Sequence, residues 1–290
     1  MKFDQNLSAI HGYLCGDGYV IKNPETQNHK YYHIGFRNTN EILLKDFQKK
    51  FQTIFRLKPH ITNEGRCRIQ NKDIYHFLTK KYSYYSYEWE LPTLSQQNLR
   101  FWLRAFFDCE GWVENQPRKS RLIGLDCCNE FGILSIRDSL EKLGIKSQVK
   151  KKSNRTIWRI AICGLHNLKR FQKEVNFLHP EKKSKLSEAI NSYQDYIWEI
   201  PTSKSGVLKL IEQKGRIRKS RAEIRFISIK RKNLTNLAKA LNTYQMPSKL
   251  FGPWKNNSGS KYYCLVIKEK NIQWKDQNLD HLQEQSKSLK

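Results

Sequence analysis

Two stretches of this chain, "IHGYLCGDGYV" at 10–20 and "LRAFFDCEGWV" at 103–113, are variants of one pattern: an apolar helical run, a lone acid, then glycine. The constraint lies in the small residues. Gly12 and Gly16 in the first copy stand one helical turn apart, as do Ala105 and Cys109 in the second. Small side chains at that spacing let two helices approach closely along one seam. Such a seam brings Asp17 and Glu110 side by side at its foot, and Gly18 and Gly111 can then turn the chain out of each helix.

Each copy is followed by the same order of elements. After the first, "KYYHIGFRNT" alternates as a strand, "NEILLKDFQKKFQTIF" has helical spacing, "LKPHIT" and "RCRIQ" alternate again, and "DIYHFLTKKY" is helical. After the second come the strand "RLIGLDCC", a helix ended by Gly144, the strands "IKSQVKK" and "TIWRIAIC", and the helix "LHNLKRFQKEV". Read directly, the order is motif helix, strand, helix, strand, strand, helix, repeated once. A repeat of about one hundred residues is a duplicated half-domain, too long for a solenoid unit.

Composition says what the strand faces meet. Lys and Arg number 53 against 27 acids, a formal net charge of +26 spread along the chain, so the expected partner is a polyanion. The strand positions away from the apolar face, with their flanks, supply the candidate DNA contacts. In the first repeat these are Arg37, Lys58, His60, Arg66, Arg68 and Gln70. In the second they are Lys119, Arg121, Lys146, Gln148, Lys150, Lys152 and Arg159. The seven cysteines form no C-x-x-C pair and the histidines no H-x-x-x-H pair, which argues against a zinc ribbon or a disulfide scaffold. Without an apolar run of membrane length or a signal-like N-terminus, a cytoplasmic, nucleoid-associated protein is expected.

Two carboxylates forced together repel, and a divalent cation removes that cost. Asp17 and Glu110, with the helix-end carbonyls of Gly16 and Cys109, form a hard oxygen set suited to Mg²⁺ or Mn²⁺. An acid pair of this kind beneath a basic surface points to phosphodiester hydrolysis.

The two stretches resemble the LAGLIDADG motif, and the repeat order over about residues 5–190 resembles that of the LAGLIDADG homing endonucleases. Ile10, Gly12, Leu14, Asp17 and Gly18 match in the first copy; Leu103, Ala105, Phe107, Asp108, Glu110 and Gly111 match in the second. The resemblance implies an α+β fold: two αββαββα halves about a pseudo-two-fold axis, forming a DNA-binding saddle, with the metal-binding acids at Asp17 and Glu110. It further implies a monomeric, intron-encoded endonuclease cutting a long non-palindromic site in double-stranded DNA. The alternative is a non-cleaving nucleic-acid binder of the same fold, an RNA maturase with intron RNA as partner or a transcription regulator. Cys15 departs from the motif's inner acid. Asp126 stands where the family carries a basic or amide side chain, a place that Arg37 fills in the first half.

The halves are set at 1–95 and 96–195, with a basic αβ segment at 196–274 and a polar tail, expected to be disordered, at 275–290. Within the segment, "VLKLIEQKGRI" at 207–217 aligns with the second motif, with Lys214 at the acid position, Gly215 at the glycine, and Lys209 and Gln213 at the seam positions. It reads as a degenerate third repeat. It cannot supply a metal ligand, and its expected role is extra DNA contact through Arg216, Arg218, Lys230 and Lys232.

Overall fold

The computed structural model describes residues 2–29, 31–116, 120–152, 156–193, 197–256 and 261–272. Lys119 and the 275–290 tail lie outside them. The chain divides into two compact units, Met1–Tyr193 and Gln194–Lys290.

The first unit is α+β and built from two matching halves. The first half contains α1 (Gln5–Cys15), β1 (Gly18–Lys22), β2 (Tyr32–Arg37), α2 (Glu41–Phe55), β3 (His60–Thr62), β4 (Arg66–Gln70) and α3 (Lys72–Thr79). The second contains α4 (Gln96–Glu110), β5 (Gly111–Gln116), β6 (Ser120–Cys127), α5 (Glu130–Lys142), β7 (Gln148–Lys151), β8 (Trp158–Cys163), α6 (Leu165–Glu174) and α7 (Pro180–Asn191). The antiparallel sheets have equivalent orders, β1-β2-β4-β3 and β5-β6-β8-β7. Helix starts follow local chemistry: the side chains of Asp4, Asn40, Asn71, Ser95 and Asn129 each accept a hydrogen bond from a first-turn N–H. At the end of α5, Gly144 adopts φ +73°, and the N–H groups of Gly144 and Ile145 return to the carbonyls of Glu141 and Leu140.

The direct reading of element order needs correction. Each motif helix is followed by two strands, and the first of them, β1 or β5, carries little apolar alternation. The reason is local: the aromatic residue on each leans on a glycine of the next strand instead of entering the core. A Cβ on Gly35 would lie 2.3 Å from the Tyr19 ring, and one on Gly124 2.2 Å from the Trp112 ring. Helix α7 is a further element that the periodicity did not mark.

One core serves both halves and closes over the motif helices. Within it His11 is fully buried among the rings of Phe3, Tyr82, Tyr84 and Trp102, and its Nδ1 accepts a 3.0 Å hydrogen bond from Trp102 Nε1. Burial pushes its pKa down to about 3. In the unfolded chain the imidazole protonates near pH 6.5. This histidine therefore stabilises the fold fully above that value, and the contribution is lost as pH falls, by up to about 1.4 kcal/mol per unit. In an NMR titration of the folded protein, His11 should remain neutral at pH 5; a midpoint near 6.5 would contradict its packing.

The second unit contains α8 (Lys204–Lys214), β9 (Arg216–Arg218), β10 (Glu223–Ser228), α9 (Arg231–Thr243), β11 (Ser248–Lys255) and β12 (Lys261–Lys268). Its sheet order, β11-β12-β10-β9, is that of each half in the first unit. It is a third copy of the αββαββ topology. Strands β9 and β11 are additions to the sequence reading. The glycine after each motif helix serves the same turn in all three copies. A Cβ on Gly18, Gly111 or Gly215 would come within 2.3 to 2.5 Å of backbone atoms of Leu14, Phe107 or Ile211, four residues earlier. Lys209 and Gln213 are exposed on α8. Among the described residues, no helix is long and apolar enough to cross a membrane.

Candidate active site at the paired helix ends

Helices α1 and α4 pack along their small residues. A Cβ on Gly12 would lie 2.6 Å from the Trp102 carbonyl oxygen and 3.1 Å from the Ala105 Cβ; on Gly16 it would lie 2.6 Å from the Cys109 Cβ. The seam delivers the two acids to one place with a small asymmetry, because α4 ends on Glu110 whereas α1 ends at Cys15 and Asp17 follows the Gly16 cap.

Glu110 is largely buried. Burial, and then the charge of Asp17, push its pKa up to about 6; Asp126 adds to the rise and Lys182 opposes it. Asp17 Oδ2 accepts a 2.9 Å hydrogen bond from Asn38 Nδ2. Asn38 is itself fixed, since its Oδ1 accepts from the Asn40 N–H at 2.9 Å and its N–H donates to the Gly65 carbonyl.

Lys182 is a site residue that sequence reasoning missed. Its ammonium donates to the carbonyls of Asp108 at 2.6 Å, Cys109 at 3.2 Å and Phe107 at 3.4 Å, which places a cation on the negative end of α4. The buried Asp108 carboxylate holds the lysine's helix in place, accepting from the N–H groups of Leu178 and His179 just before α7. Burial raises the Asp108 pKa to about 6, and these hydrogen bonds oppose the rise. In the first half Cys15 takes the corresponding place, and its thiol lies 3.4 Å from His11 Nδ1. The Pro180 that starts α7 was visible in the sequence, but the α4 carbonyls beneath Lys182 were not. Lys182→Met should raise the Glu110 pKa further, moving its titration midpoint in the folded, metal-free protein to higher pH. An unmoved midpoint would separate Lys182 from the acids.

The sheets sort the predicted DNA contacts. Cross-strand register places Arg37, His60, Arg66, Arg68 and Gln70 on the face opposite Ile34, Phe36 and Cys67, which enter the core. Lys58 is exposed in the loop before β3. In the second half Gln148, Lys150 and Arg159 share the face opposite Ile123, Leu125 and Ile160. Lys146 is exposed before β7. Arg121 must be corrected: it has the same strand parity as Ile123 and Leu125, so it turns toward the helix layer. There its Nη2 donates to the Ser192 carbonyl and its guanidinium lies 4.3 Å from the Tyr193 ring centroid. Asp126 is not a bare acid on the open sheet face. Arg159 grips it with two hydrogen bonds of 2.6 and 2.9 Å, and Lys152 adds a third of 2.6 Å. These bonds hold its pKa down, and one acid against two cations leaves the cluster basic.

The donor chemistry fits a hard divalent ion: two carboxylates, one with its charge opposed by burial and by the other acid. Among the described residues no group of three or more His, Cys, Asp or Glu side chains could hold a metal, so carbonyl, water or phosphate oxygens would complete any shell. The Cys109 carbonyl already accepts from Lys182, which leaves Gly16 as the better backbone candidate.

Helices α1 and α4 pair on small residues, each delivers an acid at its C-terminal end, and each leads into its own four-stranded sheet, the arrangement expected from two LAGLIDADG-like motifs. The LAGLIDADG-like domain profile matches residues 97–176. Homing endonuclease I-ApeI of Aeropyrum pernix is 24% identical over 197 residues, 61% of this chain and 86% of that protein. A replication factor C small subunit of Methanocaldococcus jannaschii is 26% identical over 203 residues, 65% of this chain; the match spans only 10% of that protein. A crystal structure of I-DmoI in complex with DNA and Ca is 14% identical, with a TM-score of 0.48 over 63% of this chain and 98% of that one. The chain thus carries a LAGLIDADG-like domain at residues 97–176 and is similar in sequence to a homing endonuclease.

Proposed function

We propose that the protein is a site-specific endonuclease that hydrolyses phosphodiester bonds of double-stranded DNA with a divalent metal, at a long non-palindromic site. The observation that carries this reading is the acid pair at the seam foot, where Asp17 and burial together oppose the charge of Glu110. A protein that only binds DNA gains nothing from two crowded carboxylates beside phosphate. Asp17, Glu110 and the Gly16 carbonyl would hold the ion. Once bound, a divalent ion polarises the phosphoryl oxygen and stabilises the leaving oxygen. Asn38 orients Asp17, and Lys182 offsets the negative charge gathered at the end of α4. Arg37, Arg66, Arg68 and Gln70 in one half, and Gln148, Lys150 and Arg159 in the other, would meet phosphates and base edges. Unlike halves on one chain suit an asymmetric site read by a monomer.

The test is a supercoiled plasmid carrying the insertion locus, incubated with Mg²⁺, with Mn²⁺ or with EDTA. Metal-dependent linearisation supports the proposal, whereas DNA that is shifted but never cut under any metal condition supports the binder. Affinity should also fall steeply with salt. If about 8 phosphates are neutralised, the slope of log K against log salt is roughly −7, and a value of about −2 would place the +26 charge elsewhere. Arg68→Ala should weaken binding and relax specificity if its guanidinium reads guanine.

A further inference from the structure

The C-terminal sheet has an open face unlike those of the other two. Leu250, Leu265 and Ile267 pack inward with Leu234 and Leu237 of α9. Alternation and register therefore put Arg216, Arg225, Lys249, Phe251, Tyr262 and Lys268 on the opposite face. A bulge in β11 adds to it. Phe251 pairs with Cys264 and Trp254 with Tyr262, so the extra residue turns both Phe251 and Trp254 outward on the same side. Their rings stack at 14° with centroids 6.0 Å apart, Tyr262 meets Trp254 edge-on at 5.8 Å, and Lys249 Nζ lies 5.4 Å from the Phe251 ring. Trp254 remains 41% exposed, and Ile227 on the same face 47%.

The corresponding strands of the other copies, β3 and β7, are three and four residues long and carry His60, Thr62, Gln148 and Lys150; β11 has eight residues. Polar side chains of that kind suit the base edges of a duplex groove. A ledge of exposed rings does not, because bases in a duplex already stack on one another. It suits unpaired bases, each of which offers a face to an aromatic ring. The surrounding cations match a phosphate backbone. The acid among the described residues of this face, Glu223, is ion-paired with Lys268 at 3.0 Å and with Arg225 at 3.8 Å, so one acid stands against two cations there.

We propose that the C-terminal unit binds a single-stranded polynucleotide, its bases stacked on Trp254, Phe251 and Tyr262 and its phosphates on Arg216, Arg225 and Lys249. This holds whether or not the first unit cleaves DNA.

The experiment uses the full-length protein with fluorescent oligo(dT) and oligo(U) of about 12 nucleotides, and a hairpin duplex as control, by anisotropy at several salt concentrations. Trp254→Ala should weaken single-strand binding about tenfold with an unchanged salt slope, because lost stacking releases no counterions. Duplex affinity should be unaffected, and Trp254→Phe should recover most of the loss. The stronger of the two oligonucleotides identifies the sugar. Equal single-strand affinity in Trp254→Ala and wild type would overturn the proposal, as would an equal loss on the duplex. Should Trp254→Ala lower the melting temperature, Tyr262→Ala carries the same readings.

Discussion

Asp17→Asn and Glu110→Gln proteins are expected to bind target DNA as tightly as wild type or more so, and to leave it uncut. Each change removes one hard oxygen ligand and no phosphate-facing cation, so binding keeps its electrostatic drive and loses only a repulsive charge. With two carboxylates available, neither can be replaced by a neighbour; the nearby Asp126 is committed to Arg159 and Lys152. Cutting should fall by roughly a thousandfold or more, the scale on which enzymes lose a principal source of charge stabilisation. Wild-type cutting in either mutant would remove that residue from the chemistry. A second readout needs no DNA. The folded-state pKa of Glu110, about 6, lies above its ordinary 4.5, so the buried charge disfavours the fold. That cost is fully present above about pH 6 and disappears below about pH 4.5. It amounts to about 2 kcal/mol. Metal-free Glu110→Gln should therefore melt higher than wild type at pH 7.5, and the difference should vanish at pH 4. Asp17 and Asp126 add to the rise, and Lys182 opposes it without reversing the sign.

Gly12→Leu is expected to disrupt the fold itself. The first side-chain carbon would stand 2.6 Å from the Trp102 carbonyl oxygen, and backbone of a packed helix cannot yield as a flexible side chain can. Accommodation requires α1 and α4 to part, which also separates the acids. Overpacking costs typically about 1–3 kcal/mol, and a backbone clash belongs at or above the top of that range. A drop in melting temperature of about 6 °C or more follows for a unit of this size. Ala105→Leu meets the same seam from the other helix. Unchanged melting in both proteins would show that the helices do not close here.

The seam was legible because it depends on spacing alone. Four-residue intervals of small side chains fix which face of each helix can meet its partner, and the acid directly after the second small residue is carried along. The half-repeat was legible for a similar reason, since most strands and helices bury one face and show their period. Strands β1 and β5 broke the rule because Tyr19 and Trp112 lean on glycines of a neighbouring strand. The outward turn of Phe251 and Trp254 broke it too, because a bulge resets the alternation that parity arguments assume.

Sequence alone determined the paired motifs, the acids that end them, the basic character of the strand faces and the loss of the acid at Lys214. Each of these rests on residue type at short, fixed separations. Tertiary structure alone decided that Lys182 sits on the carbonyl end of α4, that Asn38 steadies Asp17, and that Asp126 is matched by Arg159 and Lys152. Those contacts join residues 21 to 75 positions apart in the chain. Periodicity carries no information across such separations, because the partner of a side chain is chosen by which elements pack and not by its neighbours in sequence.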